Sequence, residues 1–119
     1  MCALYFIDIT KTVKTEMKND IPKIVKDEIL KLEPSAEVIL YGSRSRNDYR
    51  DDSDWDFLIL LDGQVDAKRT DKIRSALYEI ELDSEQIISS IVRSRVEWNS
   101  PRYSVIPLHR NVEREGIRL

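Results

Sequence analysis

Two short apolar runs, Val38-Ile39-Leu40-Tyr41 and Phe57-Leu58-Ile59-Leu60-Leu61, flank a polar stretch. Both have the length and β-propensity of buried strands. Upstream, Ile21, Ile24, Val25, Ile29 and Leu32 recur at helical spacing with charges on the opposite face, predicting an amphipathic helix. Asn19 or Asp20 can cap it, Pro22 suits its first turn, and Pro34 ends it. Downstream, Asp62-Gly63 signals a turn. Ile73, Ala76, Leu77 and Ile80 then share one face of a second helix from Ala67 to about Leu82. Gln86–Arg93 reads as a third strand, extending toward Glu97, and Asn99-Ser100-Pro101 breaks the chain. Val105, Leu108 and Val112 sit at helical spacing, with Gly116 placed as a C-cap.

The predicted order is therefore helix, strand, strand, helix, strand, helix, an α/β (α+β) chain with no repeats or linkers. Residues 17–119 are read as a single domain. Residues 1–16 are read as an N-terminal extension of uncertain order. Tyr5, Ile7 and Ile9 alternate with Phe6, Asp8 and Thr10 as an edge strand would, while Met17 stands just ahead of the first clear helix.

Composition narrows the function classes. Of 119 residues, 41% are hydrophobic and 34% charged, which suits a folded domain with one core. A net charge of −3 gives no electrostatic case for direct nucleic-acid binding. The single cysteine, Cys2, permits no internal disulfide and points to a reducing, cytoplasmic setting. No apolar run approaches the roughly 18 residues of a membrane span, and no signal peptide or membrane partner is expected.

The chemistry concentrates between the first two strands. Gly42 and Ser43 follow the first run, Arg44, Arg46 and Arg50 come next, and Asp54-Trp55-Asp56 opens the second. Side chains alternate along a strand, so Asp54 and Asp56 project to one side and Trp55 to the other. Carboxylates converging at the mouth of a buried strand repel each other, and a dication relieves that cost. Mg²⁺ takes such hard oxygen ligands together with substrate phosphates. Gly42 allows close backbone approach, and Ser43 with nearby N–H groups can hold a phosphate. Arg44, Arg46 and Arg50 can pair with phosphate oxygens. Neither a Walker A loop nor a Rossmann fingerprint is present.

This spacing, G-S-x10-D-x-D, resembles the signature of the DNA polymerase β-type nucleotidyltransferase superfamily. The stretch GSRSRNDYRDDSDWD is similar to its small single-domain group, the minimal nucleotidyltransferases, and the layout matches over roughly residues 17–119. The resemblance implies a small, mixed, mostly antiparallel sheet with helices packed against it. It implies Mg²⁺ and ATP, with Gly42 and Ser43 holding the triphosphate and Asp54 and Asp56 binding metal. Arg44 and Arg46 fall at matching basic positions and would contact phosphate. Members of the group are often encoded beside a HEPN-domain protein, an all-helical RNase-like toxin. There they act as antitoxins, transferring AMP to a toxin tyrosine or binding and blocking the toxin, so a hetero-oligomer with such a partner is expected.

The chain departs from that pattern on the third strand. Ser89 or Ser90 stands where the superfamily places a third metal carboxylate, and Asp83, Glu85 and Glu97 are poorly spaced to replace it. Two-metal phosphoryl transfer needs that ligand mainly for the ion that activates the attacking oxygen. Asn47 replaces a frequent glycine but tolerates the same turn. His109, with no histidine or cysteine partner, is expected at the surface. Trp98 and Tyr103 are expected in the core, Arg93, Arg95 and Arg102 at a solvated edge, and Cys2 is expected to be inert.

Overall fold

The computed structural model of the protein describes residues 17–119, and the expectation for residues 1–16 lies outside them. Helix α1, Ile21–Leu32, leads to strands β1, Glu37–Tyr41, and β2, Trp55–Leu61. Helix α2, Ala67–Ser84, leads to β3, Ile88–Ser94. Three short helices follow, α3 at Arg95–Trp98, α4 at Pro101–Ser104 and α5 at Pro107–Glu115, and then β4 at Ile117–Arg118. The sheet runs β3-β2-β1-β4. β1 is antiparallel to both neighbours, whereas β2 and β3 are parallel. The expected mixed, mostly antiparallel sheet is thus present.

Alternation divides the core between the two faces of the sheet. Trp55, Phe57, Ile59 and Leu61 of β2 pack with Val38 and Leu40 of β1 beneath α1 and α2. Leu58 and Leu60 face the other way, with Ile39, against Trp98 and Val112 of the short helices. A strand apolar on both faces must be covered on both faces, hence the continuous run from Phe57 to Leu61. Each such side chain contributes roughly 1.5–3 kcal/mol when withdrawn from water. α1 inserts Ile21, Val25 and Ile29, one helical turn apart.

Polar clamps hold these layers. The Arg69 guanidinium donates to both oxygens of Glu33, at 3.0 and 2.7 Å, and to the carbonyls of Asp62 and Gln64. It ties the end of α1 to the turn after β2, where Gly63 adopts φ 74°. That contact holds the Glu33 carboxyl below the ordinary carboxylate range.

Several boundaries differ from expectation. α1 begins after Asp20 without a side-chain capping bond. α2 continues to Ser84, whose buried hydroxyl donates to the Ile80 carbonyl at 2.6 Å. The third strand stops at Ser94 instead of reaching Glu97, because the Ser94 hydroxyl accepts from the Glu97 N–H and starts α3. Val105 is exposed between α4 and α5, outside the helix that its spacing suggested. Gly116 does follow α5, but with φ −67° and not in a left-handed turn. Its role is close approach: a Cβ there would lie 2.5 Å from the Val112 carbonyl and 2.8 Å from Ile39 Cγ2. Trp98 is buried as expected, and Tyr103 is half-buried. His109 is half-buried too, instead of at the surface, with its ring centroid 4.7 Å from that of Trp98.

Candidate active site

The end of β1 and the starts of β2 and β3 meet at one end of the sheet. Tyr41 pairs with Asp56 across the antiparallel ladder, and Asp56 is level with Ser89 across the parallel one. Asp56 therefore lies between Tyr41 and Ser89, on the face that carries α3 and α5. Ser90 pairs with Phe57 and belongs to the opposite face. Strand register thus separates the two serines, and only Ser89 occupies the position beside the aspartates.

Gly42 bends the chain out of β1 with φ 76°, in the left-handed region. A Cβ at this position would fall 2.3 Å from Asp56 Oδ2. Glycine is therefore required twice, once by the dihedral and once because the backbone lies directly over the Asp56 carboxylate. The following residues coil into a tight turn. The Gly42 carbonyl accepts from the Ser45 N–H and hydroxyl, and the Ser43 carbonyl from the Arg46 N–H. The turn places half-buried Ser43 next to the glycine that covers Asp56.

Burial, followed by the negative charge of Asp54, pushes the Asp56 carboxyl above its ordinary value of 3.8. Burial and then the Asp56 charge likewise raise the phenol of Tyr41. A carboxylate whose charge is disfavoured by burial and by a neighbouring carboxylate is suited to a cation. Asp54 and Asp56 are the hard oxygen donors that a divalent ion takes when it completes its shell with phosphate and water. Among the described residues no group of three His, Cys, Asp or Glu side chains converges. Asp54 and Asp56 would be the residues to hold an ion shared with substrate oxygens, and Ser89, level with Asp56, brings a hydroxyl and no carboxylate.

The two arginines following Ser43 have different surroundings. Arg44 is buried, with its guanidinium carbon 4.5 Å from the Tyr49 ring centroid and 4.4 Å from that of Trp55. It donates to the carbonyls of Asp51 and Ser53. These contacts pin the loop that returns the chain from Gly42 to Asp54. Arg46 is half-exposed and held between Asp48 and Glu115. Arg50 is exposed, and its backbone N–H donates to the Ser53 hydroxyl. The turn and the carboxylates are thus brought together, Arg44 serves the loop, and Arg46 reaches the end of α5. Sequence reasoning missed Tyr41 and Glu115; the cross-strand pairing of Tyr41 was inferable from the two apolar runs, whereas nothing local marked Glu115.

The nucleotidyltransferase domain family matches residues 22–115, spanning every element from α1 to α5. The chain belongs to the nucleotidyltransferase family. A Methanocaldococcus jannaschii protein bearing the name "Putative protein adenylyltransferase" is 35% identical to it over 86 residues. The alignment covers 72% of this chain and 80% of that protein. In this nucleotidyltransferase the Gly42-Ser43 turn and the Asp54–Asp56 pair both fall within the matched residues, and the sheet brings them to one end. No helix of the described residues is long and apolar enough to cross a membrane.

Proposed function

We propose that the protein is a Mg²⁺-dependent protein adenylyltransferase that takes AMP from ATP. Its acceptor in this reading is a tyrosine of a HEPN-domain toxin, which it neutralises as an antitoxin in the cytoplasm. The observation that carries the reading is the Asp54–Asp56 pair beneath the Gly42-Ser43 turn. The name of the methanogen relative supports the protein acceptor. Bound Mg²⁺ would neutralise triphosphate charge and orient the α-phosphate. Asp54 and Asp56 would hold it, while the Ser43 hydroxyl and the N–H groups of the turn bind the departing pyrophosphate. A tyrosine oxygen bonds to the α-phosphorus, the bond from that phosphorus to the bridging oxygen breaks, and the phenolic proton is released. The low-dielectric mouth of β2 favours positioning and charge neutralisation as the main contributions.

The intact mass of a co-expressed HEPN partner tests this. A gain of one or more AMP units that disappears with Asp54→Asn/Asp56→Asn is the expected result. A second reading, neutralisation by binding alone, is favoured by Ser89 standing level with Asp56 where a carboxylate would complete the metal set. An unmodified partner in a stable, inhibited complex would establish it and overturn the transferase.

A further inference from the structure

Arg46 is the basic residue whose backbone closes the turn begun at Ser43, through its N–H bond to the Ser43 carbonyl at 3.2 Å. Its side chain is engaged by two acids. Nη1 donates to both Glu115 oxygens, at 2.9 and 3.0 Å, and Nε to Asp48 at 3.2 Å. Nη2 has no acceptor among the described residues. Two carboxylates around one guanidinium leave that corner of the site net negative, which opposes an approaching triphosphate. Glu115 is the stronger opponent, since its side chain is 14% exposed against 63% for Asp48, and solvent screens it less. Glu115 is also the last residue of α5, where the helix dipole disfavours a negative charge and an arginine relieves it.

We infer that Glu115 is a positioning residue that competes with the nucleotide's phosphates for Arg46, coupling triphosphate binding to release of the α5 terminus. The inference rests on the proposed ATP site. In the closed pair Arg46 serves α5; with triphosphate present it turns to the more highly charged ligand and leaves Glu115 uncompensated. The Arg46 side chain is 45% exposed, so water reaches its guanidinium while it exchanges one carboxylate for another anion. Coupling is reciprocal, so whatever loosens Glu115 tightens the nucleotide.

Calorimetric titration of the full chain with ATP and Mg²⁺ tests this. Glu115→Gln is expected to lower Kd by about two- to five-fold, the range an ion pair near the surface supplies. The KM for ATP should fall with kcat unchanged. In an Arg46→Ala background the same change should have no effect, which a merely structural role of Glu115 would not produce. Amide exchange provides a readout that needs no Glu115 variant: ATP should speed exchange across 112–116 in the native chain and not in Arg46→Ala. Binding by the native chain with unchanged or weaker binding by Glu115→Gln overturns the competition while leaving the ATP site intact. Slower or unchanged exchange across 112–116 on ATP binding overturns it as well. Absence of ATP binding by the native chain removes the ATP site, and the competition with it.

Discussion

At the scale of single residues, Gly42 and Asp56 form one unit. Gly42→Ala combines a left-handed dihedral with a Cβ driven into the Asp56 carboxylate, so urea denaturation should show a loss of about 1–3 kcal/mol, with nucleotide transfer abolished. Asp56 has the opposite sign. Its folded pKa is raised above the ordinary 3.8, so its contribution to stability is present in full below the unfolded value. That contribution is lost as pH rises through the folded value. Above that range the ionised, metal-free Asp56 is a net cost. Asp56→Asn should therefore raise Tm by a few degrees at pH 7 in chelator and lose that advantage near pH 3; on the proposed metal-dependent reading, divalent metal should raise the Tm of the native protein and not of this variant. The residue types were legible in advance, because a Gly-Ser turn and an Asp-x-Asp are local patterns. The fates of the arginines were not. Arg46 finds Glu115 across 69 positions, and Arg44 is absorbed by two rings and two carbonyls that are assembled only when the loop closes.

At the scale of elements, strand register carries the chemistry. Two serines in succession left open which one faces the aspartates, and the parallel pairing of β2 with β3 selects Ser89. Ser89→Asp should add a third carboxylate beside Asp56 and raise the rate of AMP transfer on the order of tenfold, equivalent to about 1.4 kcal/mol of barrier. Ser90→Asp places the charge on the face toward α2 and should lower Tm with no gain in rate. A steady-state assay with thermal melts of both variants checks the pair. Arg69→Ala, which removes the clamp between α1 and the β2–α2 turn, should lower Tm by several degrees without altering Kd for ATP. The main helices and strands were readable from periodicity alone. The ends were not, because a capping hydroxyl at Ser94 outcompeted strand continuation and a buried hydroxyl at Ser84 prolonged α2.

Taken whole, the molecule is a sheet covered on both faces, and its last residues add an edge strand beside β1. β4 pairs Ile117 with Leu40 and Arg118 with Ile39, and the Leu119 N–H donates to the Val38 carbonyl at 2.9 Å while its side chain packs on the core. The Arg118 guanidinium also meets Glu37. Truncation after Glu115 should therefore loosen α5 and lower Tm by several degrees, as a thermal melt would show. The amino-acid sequence by itself determined the main helices and strands, the α+β class, the family and the residue types of the candidate site, because each of these is written in local spacing. Only the tertiary structure decided which serine faces Asp56, why glycine is required at 42 and 116, and what Arg44 and Arg46 hold. Those are contacts between residues distant along the chain, and burial and register establish them only once the sheet has closed between its two layers of helices.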